Sequence, residues 1–203
     1  MSEFDHYYKN HIAEKIELDT VTIIDYYDPE KGYEYNLRYI FDKKNSSLAI
    51  TGDFGEVTAR NFYNMGNWET FYEHFTDDLG YFLEKVTSSS RPVHFFNTGI
   101  AKKFILNTFF EVNDEDDLDN DDYFILDGLF QNFDEKVGFR IITDEFIERF
   151  EDIEEYEIYT ALNDAGRYVN GVFRLYLDAY SRAYEYLKEI ENGATQNVQQ
   201  ENY

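Results

Sequence analysis

From Thr20 to Thr51 three short runs of strand character are separated by turns, and the middle one alternates apolar and polar residues with a period of two. Thr20-Val21-Thr22-Ile23-Ile24-Asp25-Tyr26-Tyr27 is β-branched and aromatic, and Asp28-Pro29-Glu30-Lys31-Gly32 follows it as a turn. Tyr33 to Phe41 places Tyr33, Tyr35, Leu37, Tyr39 and Phe41 on one face, and Ser47 to Thr51 is a third short run. The short connections predict an antiparallel three-stranded β-meander with one face left for helices to cover. Before it, Tyr7, Tyr8, Ile12, Ile16 and Leu18 recur at near-helical spacing and predict a short amphipathic helix within residues 3–18.

Beyond Gly52-Asp53-Phe54-Gly55 the period lengthens. Glu56 to Tyr63 is expected to be a helical turn or two. Trp68, Phe71, Tyr72 and Phe75, with Asn67 as N-cap, predict a helix, and Leu79, Phe82, Leu83 and Val86 another. Thr87 to Pro92 reads as a loop, and Ile100, Phe104, Ile105, Thr108 and Phe109 mark a further helix. Tyr123 to Phe133 is expected to be helical within a buried aromatic segment, Tyr123 to Phe139. Gly138 to Ile142 is a strand or a connector. Thr143 is an expected N-cap, and Phe146, Ile147, Phe150 and Ile153 mark the buried side of an acidic helix continuing toward Asn163. From Gly166 to Ile190 one stripe (Val169, Val172, Phe173, Tyr176, Tyr180, Ala183, Tyr184, Leu187 and Ile190) runs for about seven turns. The expected class is therefore α+β: residues 1–110 with the meander packed on helices and an acidic helical region over 111–192 packed on them, together one continuous domain, then a flexible, unpacked tail over 193–203.

Charge changes this picture. Forty-two Asp and Glu face eighteen Lys and Arg, a net charge of −24, which repels itself and opposes compaction. Nineteen Phe, nineteen Tyr and one Trp bury enough apolar area to oppose it, so a disordered acidic chain is not expected. There is no cysteine, which excludes disulfides and thiolate metal sites and fits a reducing cytoplasm. No signal peptide and no apolar run long enough for a membrane span are found, and anionic nucleic acid and lipid should be repelled.

The acids cluster. Glu111 to Asp122 holds eight in twelve residues with no base, and Asp144 to Glu157 eight in fourteen with only Arg149. The first cluster fails as a calcium-binding loop: counted from Asp117, the position that needs Gly is Asp122 and the one that needs Glu is Gly128. If both clusters share a surface, Asp144, Glu148 and Asp152, rising about 6 Å per four residues of helix, would space carboxylates roughly as phosphates are spaced along a strand. The expected contact residues are Asp114, Glu115, Asp116, Asp117, Asp119, Asp121 and Asp122 from the first cluster. From the second they are Asp144, Glu148, Glu151, Asp152 and Glu155. Internal pairing of Glu151 or Glu155 with Arg167 or Arg174 is the structural alternative.

Other chemistry has weaker support. Asp53-Phe54-Gly55 matches the metal-binding triplet of protein kinases without the rest of the kinase pattern, and reads as a strand exit. Asp127 with Asp134-Glu135-Lys136 fits a metal-dependent nuclease loosely, but acid-x-Lys pairs occur at chance frequency here. His6, His11, His74 and His94 lack metal-ligand spacing, so no metal or cofactor is expected.

Ser47-Leu48-Ala49-Ile50-Thr51-Gly52-Asp53-Phe54-Gly55-Glu56-Val57, followed by Trp68 and Leu79-Gly80-Tyr81-Phe82-Leu83-Glu84-Lys85, resembles a group of uncharacterised bacteriophage and prophage proteins in which a strand ending Thr-Gly-Asp-Phe/Leu-Gly precedes a helical Tyr-Phe segment. The likeness spans residues 33–90 and supplies no catalytic residue. Small acidic phage proteins include anti-CRISPR proteins and DNA mimics. The resemblance thus implies a non-enzymatic inhibitor in the host cytoplasm that binds a basic nucleic-acid-handling host protein, such as an RNA-guided nuclease. A phage structural or assembly component is the other non-enzymatic expectation.

Overall fold

The computed structural model describes residues 4–32 and 34–200. In chain order its elements are α1 (Asp5–Tyr8), β1 (Ile12–Glu17), β2 (Val21–Tyr27), β3 (Leu37–Asp42), β4 (Ser47–Gly52), β5 (Val57–Arg60), α2 (Trp68–Phe75), α3 (Leu79–Lys85) and β6 (Val86–Ser89). There follow β7 (His94–Phe96), α4 (Thr98–Phe109), a 3₁₀ turn (Glu115–Asp117), α5 (Asn120–Phe130), β8 (Phe133–Asp134), β9 (Gly138–Phe139), α6 (Asp144–Arg149), α7 (Glu155–Asp164), β10 (Arg167–Val169) and α8 (Gly171–Gln200). The chain forms two compact units, Met1–Val93 with Gly171–Tyr203, and His94–Asn170. The second is an insertion between β6 and α8, so in place of one continuous domain that changes character at residue 110 the chain has two units whose boundaries fall at His94 and Asn170. The expected change there came from the onset of charge, whereas the packing changes at His94.

The first unit is α+β with an antiparallel meander of six strands in the order β1 to β6, not three. The extra strands were masked by short windows. Ile12 to Glu17 satisfies a period of two as well as a helical one, and its ladder to β2 (Ile16 opposite Ile23, Ala13 opposite Tyr26) decides for strand. Val57 and Ala59 point inward from β5 where a helical turn was expected. The serine- and threonine-rich Val86–Ser89 pairs with β5 instead of looping, with Thr58 and Thr87 hydroxyls 2.9 Å apart. Tyr33, expected on a strand face, lies outside the described residues, and Tyr35, expected beside it on that face, stands in a turn at φ +60°, so β3 begins only at Leu37.

Alternation along β2 to β5 buries Ile24, Tyr26, Leu37, Tyr39, Phe41, Leu48, Ile50, Val57 and Ala59. Helix α8 contributes Phe173, Tyr176, Tyr180, Ala183 and Leu187 to this core at spacings of three and four, one face of a helix. It begins at Gly171 rather than Gly166, because Arg167–Val169 pairs as a strand. Its backbone continues to Gln200, into the stretch expected to be an unpacked tail; residues 201–203 lie outside the described residues. Buried tyrosines need partners for their hydroxyls. Tyr39 Oη donates to the Tyr176 carbonyl at 2.7 Å, and Tyr180 Oη to the Trp68 carbonyl at 2.6 Å. Tyr176 Oη reaches the Phe54 carbonyl at 3.2 Å, so three bonds set the position of α8 against β3, α2 and the β4–β5 turn. Burial pushes the Tyr39 and Tyr180 hydroxyls well above their ordinary pKa and Tyr176 up to about 12, which keeps all three as donors.

In the second unit β7 pairs with β10, and β8 with β9 forms a small hairpin. A core of Ala101, Ile105, Leu106, Phe109, Leu126, Leu129, Phe146, Phe150, Ile158 and Leu162 joins α4 to α7. Gly166 (φ +76°) passes so close to α4 that a Cβ would stand 2.6 Å from the Asn97 carbonyl oxygen, so no larger residue fits. The segment Tyr123 to Phe139 is buried only on one side: Leu126 and Leu129 are inside, while Tyr123 and Phe124 are exposed.

Two outcomes follow for the first unit. Tyr180→Phe leaves the Trp68 carbonyl without its donor, and urea unfolding is expected to show a loss of about 1–2 kcal/mol. His11 is buried, donates from Nε2 to the Tyr35 carbonyl at 3.1 Å, and has no partner at Nδ1. Burial lowers its pKa below 6.5 and the nearby Lys31 adds to this, against the Tyr35 bond and the Asp28 carboxylate. The unfolded chain therefore takes up the proton first, so this contribution to stability is complete above the ordinary histidine value of 6.5 and is lost as pH falls below it. His11→Gln keeps a donor and removes the titration; its stability relative to the parent should rise between pH 8 and pH 5 in the same assay.

Candidate functional site

Charge is divided unevenly along the chain. His94–Asn170 holds twenty of the forty-two acids and six of the eighteen bases, a net charge of −14 of the total −24. Four of those bases each take one acid: Lys102 with Glu115 at 2.5 Å, Arg149 with Asp122, Arg167 with Asp164 at 2.7 Å, and Arg140 with Asp134. Sixteen acids of this unit are left without an ion pair among the described residues.

Local folding explains part of this charge. Helix N-termini carry unsatisfied N–H groups and a positive dipole end, which stabilise carboxylates. Asp119 caps α5 by accepting from the Asp122 N–H at 2.8 Å, and Asp121 and Asp122 sit in its first turn. Asp144 and Glu145 open α6; Glu154 precedes α7, with Glu155 and Glu157 in its first turn. Asp114 caps the 3₁₀ turn through the Asp116 N–H at 3.3 Å. Thr143 is the residue before α6 as expected, but its hydroxyl makes no capping bond.

The expected contact residues accordingly take different roles. Asp122 and Glu115 are half-buried and paired; Asp122 receives Arg149 through two bonds, at 2.6 and 3.1 Å. That pair ties the start of α5 to the end of α6 and so brings the two acidic stretches together at one point. Asp116, Asp117, Asp121, Asp144, Glu148, Glu151, Asp152 and Glu155 are exposed and join no ion pair among the described residues, and Asp114 and Asp119 are exposed caps. The row Asp144, Glu148, Asp152 does not lie on one helix. α6 ends at Arg149, Phe150 turns out of the helical range (φ −114°, ψ 40°) to keep its ring in the core, and α7 starts only at Glu155. Only Asp144 and Glu148 retain the one-turn spacing. Neither Glu151 nor Glu155 pairs with Arg167, which bonds Asp164 and the His94 ring instead.

Between α6 and α7 the chain leaves a concavity of about 360 Å³ lined by Glu148, Glu151, Asp152, Glu154 and Glu155, with Ile147 and Ile153 as its apolar walls. Exposed tyrosines, expected near the acidic clusters as apolar anchors but not placed by residue, stand beside it. Tyr156 is 80% and Tyr159 40% exposed on α7, and the signal was present as tyrosines on the polar face of that helix.

The nuclease residues have local uses. Asp134 accepts the Lys136 N–H at 2.8 Å and pairs with Arg140, which together hold its carboxyl below the usual range and close the β8–β9 hairpin. Asp127 accepts from Gln131 at 3.1 Å, one turn along. No group of three His, Asp or Glu side chains suited to a metal ion occurs among the described residues. Asp53 accepts the Tyr35 N–H at 3.2 Å, and Gly52 (φ +144°) lies so close to Asn36 that a Cβ would stand 2.2 Å from its carbonyl oxygen, as a strand exit requires. No helix among the described residues is long and apolar enough to cross a membrane.

Comparison of the chain with protein-family models, with curated proteins and with solved structures finds no match.

The separation of paired from unpaired acids is testable by urea unfolding. Asp122→Asn should cost about 0.5–1 kcal/mol by loosening Arg149, whereas Asp152→Asn should leave stability unchanged or raise it slightly by relieving like-charge repulsion.

Proposed function

We propose that this chain is an acidic binding protein whose inserted unit occupies a basic, nucleic-acid-handling surface of another protein. The observation that carries this reading is the sixteen unpaired acids on a unit that keeps its own aromatic core. Such a unit presents a fixed negative field, which steers a cationic surface toward it and competes with nucleic acid for the same site. Because α6 stops at Arg149, the competition rests on net charge and shape rather than on a ladder of phosphate-like spacings.

The resemblance of residues 33–90 to phage and prophage proteins directs the search for this partner to host defence nucleases, RNA-guided nucleases first. In this role the protein is an anti-CRISPR-like inhibitor acting in the host cytoplasm. It needs no catalytic residue, metal or cofactor of its own.

The direct experiment titrates the protein into a purified RNA-guided nuclease and follows capture of labelled target DNA. DNA capture should fall as the protein is added. Its affinity for the nuclease should drop by about tenfold or more between low and high salt, and again on joint replacement of Glu148, Glu151, Asp152 and Glu155 by Gln or Asn. Affinity indifferent to both changes would refute the charge-driven reading.

A further inference from the structure

The first unit displays two large rings for which its own packing has no use. Phe62 is 73% and Tyr63 91% exposed, on the loop that joins β5 to α2. The loop is fastened on both sides of them. Asn61 donates its N–H to the Ser46 carbonyl at 3.2 Å and its side-chain amide to Tyr81 Oη at 2.9 Å. The Asn61 carbonyl accepts from the Met65 N–H, and the Met65 side chain is wholly buried. Gly66 then lies so close to the β3–β4 turn that a Cβ would stand 2.9 Å from the Asp42 carbonyl oxygen. A loop held in this way gives up little freedom on binding, which is the condition for its rings to act as anchors.

The charge around these rings differs from that of the chain as a whole. The Arg60 guanidinium lies 4.9 Å from the centre of the Phe62 ring. Arg60 and Lys44 are both exposed and join no ion pair among the described residues. Lys44 belongs to the β3–β4 turn against which Gly66 packs. The acid of that turn, Asp42, is occupied by the Lys44 and Asn45 N–H groups and by the Asn45 side-chain amide. Lys85 lies 4.5 Å over the ring of Tyr81, the residue that holds Asn61, and pairs only with its neighbour Glu84.

We propose that this loop is a second docking surface, which receives an acidic protein segment bearing a large apolar side chain: the apolar group rests on Phe62 and Tyr63, and a carboxylate beside it takes the Arg60 guanidinium. Charge complementarity selects this occupant. A guanidinium next to an exposed ring offers a planar fork of N–H donors that matches the two oxygens of a carboxylate. A basic segment would set its own charge against Arg60 and Lys44 and leave both unpaired. Single-stranded nucleic acid could stack bases on the rings, but it brings a charge with every nucleotide into the field of a chain at −24. A segment with a few carboxylates meets far less of that repulsion, because physiological salt screens charges beyond about 8 Å and leaves the local cations to decide. Tyr and Arg in a preformed arrangement are also the side chains that most often carry the energy of a protein interface. The surface lies wholly within the first unit and uses no acid of the inserted one, so it is independent of the binding proposed for that unit.

Amide NMR titration of the full chain at physiological salt tests this with three probes: a short peptide of Leu and Glu, the same peptide with Gln for every Leu, and oligothymidylate. The Leu peptide should shift the signals of Arg60 to Asn64 and bind at least about fivefold more tightly than the Gln peptide. Phe62→Ser combined with Tyr63→Ser, both at exposed positions, should remove that preference, and Arg60→Gln should weaken both peptides by about threefold or more. Equal affinity of the two peptides, shifts that fall elsewhere, or a preference that survives the double substitution overturns the proposal. Tighter binding of oligothymidylate than of the Leu peptide also overturns it and makes the rings a base-stacking platform. A concentration-dependent dimer of the protein alone that Phe62→Ser dissociates overturns it too, with a second copy as the occupant. All of these outcomes leave the salt-dependent binding of the inserted unit to its own experiment.

Discussion

The structure of the first unit depends on the packing of α8 against the sheet, and that packing depends on tyrosines. Tyr176 and Tyr180 are buried between α8 and the strands, and Tyr39 rises from the centre of the sheet to meet them. Each ring supplies the area of a phenylalanine, and each hydroxyl ends on a backbone carbonyl. Tyr180 packs its ring edge to face on Tyr39 and Phe71, with centroids 4.9 and 4.8 Å away. The bonds are directional where ring packing alone is not, so they fix one register of α8 among those its apolar stripe would allow. Around this core the bases are used locally: Lys188 reaches Glu69, Lys15 reaches Glu191, and Arg182 bridges Asp178 and Asp5. Three cations thereby join α8 to α2, β1 and α1, and their partners are acids that would otherwise add to the repulsion.

The inserted unit resolves the same conflict differently. It has few bases, and its helices are short, so its many carboxylates are placed where short helices can use them. Helices α5, α6 and α7 start at Asn120, Asp144 and Glu155, and each start presents N–H groups without a partner in the helix. Phe109, Phe146 and Phe150, with centroids 4.9 to 5.3 Å apart, supply the cohesion that the charges oppose. An interior of rings with a margin of carboxylates is a folded body that stays strongly anionic.

The sequence was most informative where one period ran long. The stripe from Val172 to Leu187 and the alternation of β2 and β3 read correctly because many residues voted for the same face. Short segments were misread for a physical reason: in six residues such as Ile12 to Glu17, helical and extended periods make nearly the same demand, and only pairing with β2 separates them. Val86–Ser89 was unreadable as a strand because its stability comes from β5 rather than from its own side chains. In the candidate surface, the location of the acids was plain but their roles were not. Asp122 and Glu115 look identical to Asp121 and Asp116 in sequence, and differ only because Arg149 and Lys102, from other helices, come within reach. The end of α6 at Phe150 was likewise invisible, since Phe146 and Phe150 sit four apart as in an unbroken helix; the break comes from Ile153 bonding back to the Phe150 carbonyl at 2.9 Å.

Folding explains some of these acids and not others, and the difference bears on function. A cap such as Asp119 could be Ser or Asn with the same bond to the helix start, so even there a full charge is more than the fold needs. Glu148, Glu151 and Asp152 cap nothing, bond no base among the described residues, and stand beside one another where they repel. Two apolar walls, Ile147 and Ile153, lie among them. On an isolated molecule this arrangement is unfavourable on both counts, carboxylates crowded and isoleucines left at a concave surface. A cationic side chain with an aliphatic stem would relieve both at once, and that single complementarity is the physical basis of the proposal that a basic protein meets this face.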